Sequence, residues 1–219
     1  MRVFSVDLDQ PAAVVAHLDA VLPPSERRAS ARIRVARAST RIVLANELGI
    51  QPDQLSISRQ CSHCGHPAHG RPTVAGDDRI SFNVSHSGPF AVIALADDDV
   101  TVGVDVEELQ PRRRLDALAQ RILNDDEHAA WSLLADADAD ERLRSFLQVW
   151  TAKEAYLKAI GIGVTTRLRD VPARVDGWHT RALDLGPQRV AALCVDRPDL
   201  AVEYEVLSPL AMSSGGTAH

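Results

Sequence analysis

The sequence predicts an α+β protein made of two subdomains, and three observations carry that prediction. The order strand, helices, run of strands occurs twice along the chain, which hints at an internal duplication near residue 104. Each half holds one long stretch of helical spacing that stops at glycine: Glu26 to Leu48 before Gly49, and Arg142 to Ile160 before Gly161 and Gly163. The chain has 219 residues, 45% of them hydrophobic, enough to bury a real core beneath both kinds of element. The expected division is 1–103 for an N-terminal subdomain and 104–210 for a C-terminal one. A small, polar, disordered tail is expected over 211–219.

The elements follow in order. Arg2 to Leu8 alternates like a strand, and Pro11 to Val21 sets Val14, Val15, Leu18 and Val21 on one side of a helix. Pro23-Pro24-Ser25-Glu26 reads as a turn, with Ser25 as N-cap of the long helix that follows. In that helix Ile33, Val43, Leu44 and Leu48 should pack inward and the arginines should lie along the other face. Leu55 to Arg59 is a short strand, and Cys61 to Pro72, rich in Gly, Pro and His, is a loop. Arg79 to Val84 is a strand, Ser85-His86-Ser87-Gly88-Pro89 a turn, and Phe90 to Ala96 a buried strand. Val100 to Val106 is the next strand and Leu115 to Leu123 a helix. A second helix starts at Asn124-Asp125-Asp126-Glu127, and Asp136 to Asp140 is exposed before the long helix of the second half. Leu168 to Val206 alternates enough for three or four strands.

Charge bounds the partners. The net charge of −6 argues against a nucleic-acid binder, which is usually basic. The arginines are nevertheless clustered, at Arg27, Arg28, Arg32, Arg34, Arg37 and Arg41 and again at Arg112, Arg113 and Arg114, so an anionic ligand or an acidic partner could dock locally. Three cysteines do not make a disulfide framework. The first residues carry no apolar run of signal-peptide length, and the longest apolar run, Phe90 to Ala96, is too short to cross a bilayer. A soluble, cytoplasmic protein without membrane or nucleic-acid partners is expected.

Two segments carry chemistry: Gly103-Val104-Asp105-Val106-Glu107 and Trp150-Thr151-Ala152-Lys153-Glu154-Ala155-Tyr156-Leu157-Lys158. Asp105 and Glu107 sit at i and i+2 of a strand and so point to one face. Glu154 and Lys158 sit at i and i+4 of a helix and share its face, with Lys153 one position round. If helix and strand pack together, three carboxylates suit a hard divalent cation and two lysines suit phosphates that it would bridge. Taken singly, an Asp-x-Glu strand end or an i,i+4 ion pair is more often structural; it is their conjunction that points to chemistry on a phosphate ester or anhydride.

These residues resemble the paired signature of the 4'-phosphopantetheinyl transferases of the surfactin-synthetase-activating type. Phe82-Asn83-Val84-Ser85-His86-Ser87-Gly88 looks like that family's third motif, and Gly70-Arg71-Pro72 is similar to the element before it. The resemblance spans roughly residues 20 to 170. It implies two similar α+β subdomains related by a pseudo-twofold axis, each a small sheet packed on a long helix, in a monomer. It also implies coenzyme A in the cleft between them and transfer of its phosphopantetheine arm to a serine of an apo acyl or peptidyl carrier protein, releasing 3',5'-ADP. By the same resemblance Asp105, Glu107 and Glu154 fall on Mg²⁺ positions and Lys153 and Lys158 on phosphate positions. Arg71, Pro72, Asn83, Ser85 and His86 fall on coenzyme A contacts. Asp105, Glu154 and Lys158 form the catalytic set, with Glu154 the expected base and Glu127 an outer alternative. The family's basic residues near the 3'-phosphate fall here on Glu26 and Ala29; Arg27, Arg28, Arg32 or Arg41 could substitute, and Arg28 is taken as the expectation. Arg112 to Arg114 is one expected dock for the carrier.

The Cys61-Ser62-His63-Cys64 loop invites a structural zinc, although a loop that only positions Arg71 needs no metal. Cys194 reads as a buried core thiol. A zinc-dependent nucleic-acid module is the competing class, weakened by acidity and by an aromatic content of 4%. Another Mg²⁺-dependent phosphotransferase would need a Gly-x-x-x-x-Gly-Lys-Ser/Thr cradle, which the chain lacks.

Overall fold

The computed structural model describes residues 1–60, 70–97, 99–162 and 166–209. It is α+β, with strands β1 (Arg2–Asp7), β2 (Ile57–Gln60), β3 (Arg71–Val74), β4 (Ile80–Ser87), β5 (Phe90–Asp97), β6 (Val102–Glu108), β7 (His179–Leu183), β8 (Arg189–Val195) and β9 (Glu203–Leu207). The helices are α1 (Ala12–Leu18), α2 (Ala31–Leu48), α3 (Leu115–Ile122), α4 (Asp125–Ser132) and α5 (Ala139–Ile160). One sheet has the order β4-β5-β1-β9, a second β6-β8-β7, and β2 and β3 form a hairpin. Strand β9, the last among the described residues, pairs in parallel with β1 and so crosses back to the sheet of the first half. The expected division at residue 103/104 falls inside β6, and β9 pairs with the sheet of the first half.

Alternation along the strands builds four layers. Phe4, Val6, Ile93 and Leu95 pack with Val35, Leu44 and Leu48 of α2 in one core. The opposite face of the same strands, Val3, Val92 and Ala94, meets Val102, Val104, Val106 and Leu193 of the second sheet. Ala192 and Cys194, on the outer face of that sheet, pack against Ala155 of α5. β5 is buried on both faces, which is why Phe90 to Ala96 is continuously apolar.

Several boundaries differ from the sequence expectation. The long first helix is broken: Glu26–Arg28 is a separate 3-10 turn, the chain extends at Ala29, and α2 begins after Ser30. Ser25 makes no side-chain cap. Arg41 is not on the outer face but buried, bonded to Glu26 and to the Leu55 carbonyl, where the turn folds back onto α2. α5 starts at Ala139 because Asp138 caps the backbone N–H groups of Asp140 and Glu141. The Asn124–Glu127 capping box forms as expected. Ser85, His86 and Ser87 are strand residues of β4, paired with Val92, Ala91 and Phe90, so only Gly88 and Pro89 turn the chain. Cys194 is buried, and burial pushes its thiol up to about 11. The Cys61/Cys64 zinc expectation and the 211–219 tail lie outside the described residues. Among the described residues no helix is long and apolar enough to cross a membrane.

Candidate active site

The site is built where two sheet edges meet. β4 ends one sheet and β6 ends the other. Their edges are not joined by a backbone ladder; side chains of β4 bridge them instead. Asn83 Oδ1 accepts from Val104 N at 3.4 Å, Ser85 Oγ from Val106 N at 3.3 Å and Ser87 Oγ from Glu108 N at 3.1 Å. The spacing i, i+2, i+4 puts these three short polar side chains on one face of β4. Phe82, Val84 and His86 alternate onto the other face. Each serine also donates to a carboxylate of β6: Ser85 Oγ to Asp105 Oδ1 at 2.8 Å and Ser87 Oγ to Glu107 Oε2 at 3.0 Å.

Helix α5 completes the cluster. Lys158 Nζ donates to Asp105 Oδ1 at 2.6 Å and to Ser85 Oγ at 2.8 Å. Asp105 is 4% exposed, and its Oδ2 is buried with no partner. Burial pushes the Asp105 carboxyl upward, and the Lys158 ammonium and Ser85 hydroxyl oppose that. Glu154, one turn before Lys158, is half-buried; its pKa is raised by burial and by the neighbouring Asp105 and Glu107 charges, against Lys158. Arg112 donates to Glu107 Oε2 at 2.5 Å.

Beside this cluster runs a groove of about 420 Å³ between α2, the β2–β3 hairpin and β4. Arg37, Arg59, Pro72 and His86 line it together with the apolar Ile33 and Phe82. Burial, and then the nearby Arg37 charge, lower the Arg59 pKa. Burial, Lys158 and Arg37 likewise hold His86 below the usual imidazole range. Glu26, which also lines the groove, is paired with Arg41, and the remaining arginines Arg37 and Arg59 suit an anion.

The structure gathers some of the expected residues and separates others. Asp105, Glu107, Glu154, Lys158, Ser85 and His86 come together at or beside the seam. Lys153 does not: it is fully buried, and its ammonium is shared among Glu127 Oε2 at 2.5 Å, the Ile122 carbonyl at 2.8 Å and the Leu168 carbonyl at 3.0 Å. Adjacent residues on a helix lie about 100° apart, which turns Lys153 inward while Glu154 lines a separate pocket with Arg121 and Arg169. Glu127 is used up by Lys153, its capping box and Ala173 N, so it is no outer base. Arg28 is exposed on the 3-10 turn and does not line the groove; Arg37 and Arg59 do. Arg71 is half-buried and donates to Ser81 Oγ, while its neighbour Pro72 reaches the groove wall. Asn83 and Ser85 are buried and engaged at the seam. Ser87 and Arg37 were not singled out as site residues; the strand alternation from Asn83 through Ser85 is the signal that would have found Ser87. Among the described residues no three His, Cys, Asp or Glu side chains are grouped so as to hold a metal ion. Lys158 and Arg112 instead supply the counter-charge to Asp105 and Glu107, and the expected three-oxygen cage is not closed.

The α+β frame thus carries an acid–lysine cluster at a sheet seam, next to a groove lined by arginines. The sequence profile of the 4'-phosphopantetheinyl transferase superfamily matches residues 101–206, just under half of the chain. It is similar to the 4'-phosphopantetheinyl transferase psf-1 of Bacillus pumilus, with 32% identity over 155 residues, 64% of this chain and 63% of the relative. The transferase HetI of Nostoc is 29% identical over 85% of this chain and 79% of its own length. The transferase Sfp of Bacillus subtilis is 22% identical over 95% and 98%. A Synechocystis relative at 33% identity is spanned over only 53% of its length.

Proposed function

We propose that this chain transfers the 4'-phosphopantetheine arm of coenzyme A to a serine hydroxyl of an apo acyl or peptidyl carrier protein and releases 3',5'-ADP. The observation that carries the reading is the placement of Lys158 on Asp105 and Ser85, with Glu154 one helical turn away, beside a groove lined by Arg37, Arg59 and His86. The groove offers cations for the nucleotide's phosphate and apolar surface for its base. The Lys158 ammonium is placed to offset charge growing on the diphosphate as the bond to the departing 3',5'-ADP breaks. Glu154, which makes no hydrogen bond among the described residues, is the side chain free to take the proton of the attacking serine.

Asp105 Oδ2 is a buried oxygen without a partner, but the described carboxylates are not grouped to hold a divalent cation of the Mg²⁺ type, and Lys158 and Arg112 already balance Asp105 and Glu107.

The full chain, given coenzyme A, Mg²⁺ and a panel of apo carriers, is expected to add one phosphopantetheine mass to a carrier. No added mass on any carrier, together with no calorimetric binding of coenzyme A, would refute the reading. Glu154→Gln keeps the side chain's shape and breaks no bond, so transfer should fall by about a hundredfold or more while the melting temperature stays put. A variant that transfers at the parent rate removes Glu154 from the chemistry.

His86 gives a pH signature. Its pKa is depressed in the free protein, and a bound phosphate would raise it. Binding then takes up a proton, so coenzyme A affinity should rise as pH falls from about 8 towards about 6.5. Calorimetry in buffers of different ionisation enthalpy measures that uptake directly. His86→Gln should abolish it, and uptake that persists in the variant assigns the proton elsewhere.

A further inference from the structure

Among the described residues that line the groove beside the seam, Glu26 is the one acid. It sits on the 3-10 turn before α2, and Arg41 Nη2 donates to its Oε1 at 2.8 Å. The Arg41 side chain is 5% exposed, and Nη1 also donates to the Leu55 carbonyl at 2.8 Å, so the guanidinium is a fixed anchor for the carboxylate. The other oxygen, Glu26 Oε2, makes no bond among the described residues, and the side chain stays 24% exposed on the groove wall.

The lining has an order along the strands. On β2, Ile57 and Arg59 lie at i and i+2 and share the groove face, about 6.6 Å apart along the strand. Leu55, tied through Arg41 to Glu26, lies two residues before Ile57. On β4 the groove face runs Phe82, Val84, His86. The Arg37 charge acts on both Arg59 and His86, so these three groups gather. The groove therefore passes from a carboxylate, across apolar side chains, to a cluster of cations.

A phosphate and a carboxylate repel, so an anionic ligand sets its phosphate at Arg37, Arg59 and His86 and turns a different group towards Glu26. A lysine at position 26 would serve the phosphate itself; a glutamate does not. An ionised carboxylate only accepts hydrogen bonds, so the group that meets it is a donor. The apolar middle of the groove suits a planar ring, and the donor on such a ring's edge is an amine. We propose that Glu26 accepts a hydrogen bond from the exocyclic amine of the ligand's base, which makes it a specificity residue for a 6-aminopurine nucleotide. This rests on the reading that the groove takes the nucleotide of coenzyme A.

The test is calorimetric titration of the full chain with adenosine 3',5'-bisphosphate and with purine riboside 3',5'-bisphosphate, which keeps the ring and the phosphates and lacks the amine. The parent should bind the adenosine compound about tenfold or more tightly, the loss expected when a charged acceptor stays in place and its donor is missing. Glu26→Gln still accepts from Arg41 and from an amine, but without the charge, and should narrow the ratio to about threefold. Glu26→Ala should bring it to about one. The ratio is read within each protein, so a stability change from loosening Arg41 cancels; where Glu26→Ala does not fold, Glu26→Gln decides. Equal parent affinities overturn the proposal, as does a ratio that Glu26→Gln leaves unchanged. 2'-Deoxyadenosine 3',5'-bisphosphate tests the other donor: if its affinity drops while the purine riboside compound binds like the adenosine one, the acid reads a ribose hydroxyl and the proposal falls. If the parent binds neither the adenosine nor the purine riboside compound, the nucleotide reading of the groove falls and this proposal with it; equal binding of the two sinks only the role of Glu26.

Discussion

Gly103→Ala is expected to unfold or grossly loosen the second half of the molecule. Gly103 lies on β6 on the same face as Asp105 and Glu107, the face that α5 covers. A Cβ there would sit inside the van der Waals surface of the Ala155 carbonyl oxygen, 2.5 Å from Ala159 N and 2.9 Å from Ala159 Cα. All three are backbone atoms of the last turns of the packed helix α5, so no side chain can swing aside. Overpacking of one methyl into a tight core costs about 1–3 kcal/mol where neighbours can shift, and backbone against backbone belongs at or above the top of that range. The damage would not stop at stability. Ala155 directly follows Glu154 and Ala159 directly follows Lys158, so lifting α5 off β6 withdraws both side chains from Asp105. A thermal melt and a transfer assay read together check this: the melting temperature should drop by roughly ten degrees or more, and the residual folded protein should be poorly active. A variant with parent stability would mean that α5 does not seat on Gly103.

This position shows what the sequence could and could not reveal. Strand alternation at Asp105 and Glu107 and helical spacing at Glu154 and Lys158 were legible because each is a local period. The apolar run of β5 and the Asn124–Glu127 capping box were legible for the same reason. The closeness that requires glycine at 103 was not, since it depends on which helix lands on the strand. The inward turn of Lys153 was equally hidden. A lysine next to a pocket-lining glutamate is as compatible with a phosphate as with a buried carboxylate until α3, α4 and the 168–170 turn are seen to close over it. The fate of Ser85 and His86 was misjudged for a different reason. Gly88 and Pro89 are strong turn residues, and they drew the preceding serines and histidine into the turn, whereas pairing with β5 carries the strand through Ser87. Arg41 illustrates the same limit: a helix face of arginines reads as solvated, and only the folded-back turn at Glu26 shows that one of them is buried.

Lys153→Ala is the second large effect, and it separates a structural lysine from a ligand-binding one. Lys153 is 0% exposed, and its three donors meet Glu127, the Ile122 carbonyl and the Leu168 carbonyl. Burial draws its pKa down, and the bond to Glu127 works against that. Removing the ammonium leaves the Glu127 carboxylate, only 14% exposed, and two carbonyls short of their donor. Breaking one side of a buried ion pair costs about 3–5 kcal/mol, so Lys153→Ala should remove a large part of the fold's stability. Lys153→Met, of similar length and without charge, retains the stem packing but not the donors, and should be destabilised nearly as much. Lys153→Met with Glu127→Gln removes both charges and should regain part of the loss, the coupling expected of a direct pair. A phosphate-binding lysine behaves differently: its loss leaves the melting temperature alone and weakens coenzyme A. Denaturant melts of the four proteins, with coenzyme A calorimetry on the fraction that remains folded, distinguish the two. The structural role requires lowered stability with parent-like affinity per folded molecule. Parent stability with weakened coenzyme A binding would restore Lys153 to the ligand site and remove it from the core.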